Sequence, residues 1–270
     1  MNLGQQEITS DILIDIGGCR LSFSVIPGNE TRIVLEVGGG TDSTFWGPFP
    51  LQLAQATGAS VVTYDRAGFG NSDLPEKPYD MVEEVDWFMA AMRQLGLDQD
   101  LILLGHSYGG WLIRLTASRY PDAVRGLVFI DPFSTEFVDL LGKEHIDQHP
   151  YFNFPELNTA ELTKNQHGGL RMLSSGVGPK AEILRDTRLP NVPVRIITAG
   201  QPWWLSPEEN HAWRKAHEQM AASIPGAVLL VAEHSDHLIP EKQPDVIIEA
   251  TRQVIRLSKQ ASSIPINEKS

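Results

Sequence analysis

A serine stands among glycines in Gly105-His106-Ser107-Tyr108-Gly109, directly after the apolar run 101–104 and directly before a helix-like segment. A sharp strand-to-helix turn crowds the residue at its apex, and glycines on either side remove the side chains that would clash. Such a turn lifts the Ser107 hydroxyl above the strand ends, beside the unpaired N–H groups of a helix N-terminus, where developing negative charge is favoured. The pattern suits a nucleophile in acyl transfer. A serine that merely turns the chain or caps a helix is the plainer alternative, so the chemistry requires further groups.

A hydroxyl attacks poorly until a base removes its proton, and that base needs an acid to hold it in one tautomer. The stretch AEHSDHLIPEKQ supplies His234 and His237. His237 is the preferred base, because it stands just before the final helix in a loop that can reach back over the strand ends. His234 lies closer to the preceding strand and reads as a packing or supporting residue. His211 and His217 fall within a helical segment and read as solvated. Glu144, His145, Asp147 and His149 form another polar group, in which a helix sets the histidines one turn apart. HIDQH lacks the glutamate arrangement of a zinc protease, so solvated side chains are expected there, with no metal site and no cofactor.

Positioning these groups is the task of the elements around them. Short β-branched runs recur with helical stretches between them, the pattern of a mostly parallel sheet covered on both faces. DILIDI and RLSFSVI, separated by Gly17 and Gly18, read as an antiparallel hairpin. TRIVLEV, ASVVTYD, DLILLG and VRGLVFID follow as strands, then VPVRIITAG, a helical SPEENHAWRKAHEQMAASI, a strand AVLLVAE and a last helix over about 243–260. Between 133 and 190 the rhythm breaks. A loop that long is improbable in a compact domain, so 133–190 is expected to be a small helical lid. The reading is a core domain built from 1–132 and 191–262, with 263–270 as a flexible tail.

The 270 residues carry a formal charge of −12, which opposes nucleic acid or an anionic membrane as the main partner but does not identify a substrate; a small-molecule substrate is expected from the serine chemistry. No apolar stretch reaches the roughly 18 residues of a bilayer span, and the N-terminus lacks the basic and apolar regions of a secretory signal. The one cysteine, Cys19, reads as a small buried hydrophobe. A cytoplasmic location is expected. The oligomeric state is left open.

GHSYGG followed by WLIRLTASRYPDAVRGLVFIDP resembles the α/β-hydrolase-fold serine hydrolases, especially the esterase-like branch that reads YDRxGxGxSD before the serine turn; here that stretch is YDRAGFGNSD, 64–73. The resemblance is dense over 31–132 and good over 192–251. It implies the α/β-hydrolase fold, with a nucleophile elbow at Ser107 and an order of serine, acid, histidine along the chain. In many relatives the acid follows the strand after the lid, but ITAGQPWWLSPEEN has no aspartate there. Related haloalkane dehalogenases place an acid one strand earlier, which falls on Asp131 at the end of VFID. Asp131 is therefore the favoured acid, against a plain turn role before Pro132. Glu208 and Glu209 are alternatives, although SPEEN reads as a helix start, and Asp236 ranks last beside His237. The resemblance also places the oxyanion donors at the backbone N–H groups of Tyr108 and Gly39, in the loop EVGGGT where many relatives have His-Gly. Asp65 and Asp73 read as structural, in a loop that holds the pocket floor and pairs with Arg66.

A carboxylic ester is the expected substrate, cleaved through an acyl-enzyme. Phe133, Phe137, Tyr151, Phe152, Phe154, Trp203 and Trp204 are candidates for an apolar pocket under the lid. Other readings keep the same triad for an amide, thioester, lactone or carbon–carbon bond, or make the protein a ligand-binding module with little turnover. VGGGT lacks the histidine and proline of the HGGPG loop of aminopeptidase relatives. Epoxide hydrolases and dehalogenases of this fold use aspartate at the elbow, and Ser107 counts against both.

Overall fold

The β-branched runs form one eight-stranded sheet in the order β1-β2-β4-β3-β5-β6-β7-β8, seen in a computed structural model that describes residues 9–150, 161–203 and 205–262. The strands are β1 (Thr9–Asp15), β2 (Arg20–Ile26), β3 (Asn29–Glu36), β4 (Ala59–Asp65), β5 (Leu101–His106), β6 (Val124–Ile130), β7 (Val194–Ala199) and β8 (Val228–Ala232). β1 and β2 make the expected antiparallel hairpin, and β2 also runs antiparallel to β4. From β4 to β8 every pairing is parallel. Every residue of β4, β5 and β7 is buried. Such strands read as continuous apolar runs because helices cover both faces.

Those helices are α1 (Phe49–Thr57), α2 (Met81–Gln94), α3 (Gly109–Arg119), α8 (Pro207–Ser223) and α10 (Pro244–Ser262). On one face α1 and α10 bury Phe49, Leu53, Ile247, Ala250 and Val254 against Ile33, Leu35, Ile102 and Val128. On the other, α2, α3 and α8 pack Met89, Met92, Ile113 and Met220 against Val34, Leu103 and Phe129. Cys19 belongs to this second core, where burial pushes its thiol up to about 11, so it behaves as the small hydrophobe expected.

Between β6 and β7 the described residues form helices α4 (Thr135–Leu141), α5 (Lys143–Gln148), α6 (Lys164–Ser174) and α7 (Val177–Arg185). Their apolar faces join Tyr108, Trp111 and Trp213 in a third cluster containing Phe133, Phe137, Met172, Val177, Ala181 and Leu184. This cluster continues the packing of α3 and α8 outward. The short helix α9 (Ile239–Lys242) precedes α10. Among the described residues no helix is long and apolar enough to cross a membrane.

Register sets the stage for the site. His106, the last residue of β5, aligns with Ile130, the last of β6, and Ile130 aligns with Ile197 of β7. Ser107 and Asp131 therefore leave neighbouring strands side by side, at the carboxyl edge where open α/β sheets bind ligands.

Candidate active site

Ser107 takes φ 53°, in the left-handed region that a non-glycine residue adopts only under constraint. The constraint is visible. Its N–H donates to the Ile130 carbonyl at 3.0 Å, and its own carbonyl accepts from Gly110 N–H at 2.9 Å and Phe133 N–H at 3.0 Å. A Cβ on Gly105 would lie 2.5 Å from the Gly109 oxygen, and one on Gly109 would lie 2.3 Å from the Glu36 oxygen. Both glycines are thus dictated by close backbone approach. Tyr108 is the N-cap of α3, so its N–H precedes the helical hydrogen-bond ladder.

Asp131 also has a positive φ, 43°, and its N–H donates to the Ile197 carbonyl at 2.7 Å. Its side chain is fully buried. Oδ1 accepts from Ala199 N–H at 2.8 Å, and Oδ2 lies 2.6 Å from His237 Nδ1. Burial pushes the carboxyl up, but the hydrogen bond and charge of His237, with His217 and the Ala199 N–H, outweigh it and hold the group at about 2. Ionised Asp131 can only accept, so Nδ1 of His237 carries the proton and Nε2 carries the lone pair of a base. Trp203 stacks on the His237 ring at 4.0 Å between centroids, 13° from parallel. The His106 ring lies on it at 4.5 Å, and His106 Nε2 bonds the His237 carbonyl at 2.8 Å. Burial, reinforced by His237, lowers the His106 pKa to about 3 and keeps that ring neutral.

The loop after β3 passes over the elbow. A Cβ on Gly38 would lie 3.3 Å from Ser107 Cβ, and one on Gly39 would lie 3.5 Å from Tyr108 Cβ. Buried Arg66 fixes this loop: Nη1 donates to Glu36 Oε1 at 2.7 Å and to the Val37 carbonyl at 2.6 Å, and Nη2 donates to the Gly38 carbonyl. In a trans peptide the C=O and the next N–H point in opposite directions. Holding the Gly38 oxygen on Arg66 therefore turns the Gly39 N–H away from the guanidinium. The expected pairing of Arg66 within its own loop is corrected by this geometry. Glu36 is its partner, with Tyr64 donating to the other Glu36 oxygen; Asp73 pairs with Arg20 instead, and Asp65 accepts from the N–H groups of Ser43 and Asn71.

Ser107, Tyr108, Gly39 and Gly40 open onto a cavity of about 350 Å³ walled by Trp111, Phe133, Met172, Leu173, Val177, Lys180, Trp203, Leu205 and Trp213, among others. Phe133 and Trp203 take the expected pocket positions. Phe137 instead packs between Phe133 and Trp213 in the core of the helical segment. Tyr151, Phe152, Phe154 and Trp204 lie outside the described residues, as does the tail 263–270. Trp111, Trp213 and Lys180 were not read from the sequence as wall residues. Trp111 lay open to notice, four residues beyond Ser107 on the first turn of α3.

Other expected residues separate clearly. Glu208 is exposed at the start of α8. Glu209 closes a capping box with Ser206 and meets His145 and His149 at 2.7 and 3.1 Å, so neither glutamate partners His237. Asp236 accepts from Leu238 N–H and Lys242 Nζ. His234 is exposed. His217 corrects the expectation of a solvated side chain: it is 0% exposed, with Nε2 on the Pro132 carbonyl and Nδ1 on Thr198 Oγ1, both at 2.8 Å. Trp213, Ala216, His217 and Met220 share the buried stripe of α8. Their i, i+3, i+4, i+7 spacing was the available signal.

The chain and its fold are similar to those of known proteins. The model of the alpha/beta hydrolase family matches residues 33–250. YqjL of Bacillus subtilis (strain 168) is 23% identical over 235 residues, covering 86% of this chain and 87% of that protein. Among solved structures, an alpha/beta hydrolase fold protein from Burkholderia ambifaria superposes with a TM-score of 0.68 at 19% identity, covering 92% of this chain and 99% of the other. A thermophilic esterase from Thermogutta terrifontis gives 0.61 at 21% identity, over 93% and 99% of the two chains. At such identities the likeness of the structures is one of fold.

Proposed function

The chain belongs to the alpha/beta hydrolase family, and from that premise we propose that it is a serine hydrolase that cleaves a carboxylic ester through an acyl-enzyme. Ser107 Oγ attacks the ester carbonyl carbon while His237 Nε2 takes its proton. The carbonyl electrons move onto oxygen, and the oxyanion is met by the N–H groups of Tyr108 and Gly39. Collapse expels the alkoxide, which receives the proton from His237 and leaves as the alcohol. Water, deprotonated by His237, then attacks the acyl-serine, and the acid departs as the proton returns to Ser107. One ester and one water give one acid and one alcohol.

Asp131 orients the imidazole and stabilises the imidazolium formed in each half-reaction, without becoming protonated itself. The observation that carries this reading is the 2.6 Å contact from Asp131 to His237, built beside a serine with φ 53° at the mouth of an apolar cavity. It favours turnover over a binding module, because a receptor has no need of an oriented base. Arg66 acts as a positioning residue for the oxyanion loop. Helices α6 and α7, which bring Met172, Leu173, Val177 and Lys180 to the cavity wall, serve as its lid and set the acyl length. Turnover of p-nitrophenyl esters of increasing acyl length tests the proposal. Wild type hydrolyses them, and Ser107→Ala and His237→Ala fall to background. A folded wild type inert to the whole series would overturn ester hydrolysis as the activity.

A further inference from the structure

Lys180 is an unusual wall for an apolar cavity. It lies on α7, 3% exposed, and lines the same cavity as Ser107. Among the described lining residues it is the only charged side chain. Among the described residues its Nζ donates one hydrogen bond, to the Met172 carbonyl at 2.6 Å. The ring centroids of Tyr79 and Tyr108 lie 5.4 and 5.8 Å away. An ammonium has three donors and is costly to bury without a counter-charge. The buried carboxylates of this region are already taken, Glu36 by Arg66 and Glu84 by Arg171. Burial alone accounts for the lowering of the Lys180 pKa to about 8, with no acidic group among its causes.

Trp111 and Trp213 also line the cavity. The indole N–H groups of Trp111 and Trp213 are buried and have no protein acceptor among the described residues. Buried donors are satisfied in the great majority of cases. A lysine in the wall of a cavity otherwise lined by uncharged and mostly apolar side chains calls for a ligand that brings negative charge while filling the rest with hydrocarbon. Packing alone does not call for lysine here, since a methionine covers the same surface without the charge. With a net charge of −12 on the chain, this buried cation is also no part of a broad basic surface.

We propose that the substrate's acyl chain ends in a carboxylate held by Lys180, so that the enzyme is selective for half-esters of dicarboxylic acids or esters of similarly anionic acids. This deepens the ester-hydrolase reading and rests on it. A charge-assisted hydrogen bond in a dry pocket gives a preference of about 10- to 100-fold over the uncharged analogue.

The test compares monomethyl with dimethyl esters of adipic, pimelic and suberic acids, following acid release by pH-stat. At the best chain length, wild type prefers the monoester by at least about tenfold in kcat/KM, Lys180→Met brings the ratio to about one, and Lys180→Arg restores part of it. Equal turnover of both series by wild type, or a ratio unaltered in Lys180→Met, overturns the inference and leaves ester hydrolysis standing. Should Lys180→Met fail to fold by circular dichroism, the wild-type ratio decides alone. Should wild type cleave no ester at all, the ester reading fails, and calorimetric binding of adipate, pimelate and suberate decides instead. Binding by wild type that is lost in Lys180→Arg and Lys180→Met, or in Lys180→Met alone, upholds the carboxylate site; no binding, or equal binding by all, overturns it.

Discussion

Asp131 and His237 are 106 residues apart in the chain, yet Oδ2 of one lies 2.6 Å from Nδ1 of the other. The contact spans two sheet positions: Asp131 leaves the end of β6 and His237 comes from the loop after β8, with β7 between them. The Ala199 N–H at the end of β7 fills the gap by holding the other carboxylate oxygen.

Asp131→Asn is expected to preserve the shape of this arrangement while reversing its hydrogen bonding. An amide that donates to Nδ1 places the imidazole proton on Nε2, where the base is needed. On a p-nitrophenyl ester, kcat is expected to fall about 10³- to 10⁴-fold with little change in KM. A fall of less than about tenfold would remove Asp131 from the mechanism.

The same carboxylate ties stability to acid. Its folded pKa, about 2, lies below the ordinary value of 3.8. A depressed carboxylate contributes stability that is present above the unfolded pKa and lost as pH falls through the folded one, here about 2 kcal/mol lost between roughly pH 4 and 2. Urea unfolding at intervals from pH 5 downward is expected to show a shallower acid decline in Asp131→Asn than in wild type.

Arg66 and Glu36 form a buried ion pair whose guanidinium also holds the Val37 and Gly38 carbonyls in the loop after β3. Arg66→Met strands the Glu36 carboxylate and is expected to cost about 3–5 kcal/mol in urea unfolding. The double change Arg66→Met with Glu36→Gln recovers part of that loss. Its kcat stays at least tenfold below wild type, because the Gly38 carbonyl has lost its anchor.

Lys180 carries the opposite expectation. A lysine whose pKa drops on folding, here to about 8 from 10.5, destabilises the fold wherever it is charged in both states. Stability from this group rises as pH passes from 8 to 10.5, where the unfolded chain still binds the proton that the folded one has released. Lys180→Met is therefore expected to gain about 1–3 kcal/mol at pH 7, with the gain shrinking toward pH 10.5. Thermal melts at both pH values check it, and a loss at pH 7 would assign Lys180 to the fold.

Much of this was legible in the chain because backbone constraints leave local marks. Gly105 and Gly109 announce the elbow, since any larger residue collides with backbone there. Asp131 could be proposed through the resemblance to haloalkane dehalogenases, since its place at a strand end before Pro132 suits a turn equally well, and its partnership with His237 is a contact across three strands that no local spacing encodes. Burial on α8 was legible in the spacing of Trp213, Ala216, His217 and Met220, although the type of residue 217 argued for solvent. Arg66 was misassigned for a related reason. Nearby aspartates offered a partner in sequence, whereas parallel pairing of β3 with β4 put Glu36 closer in space. Lys180 left no signal, because a lysine on a short helix reads as a solvated one.

The central claim is an activated Ser107, and its most direct measurement is reaction with a fluorophosphonate followed by intact mass and peptide mapping. Wild type is expected to gain one phosphonyl adduct, mapped to Ser107, with none in Ser107→Ala and a rate at least a hundredfold lower in His237→Ala. A folded wild-type protein that gains no adduct, or gains it equally in Ser107→Ala, would contradict the account.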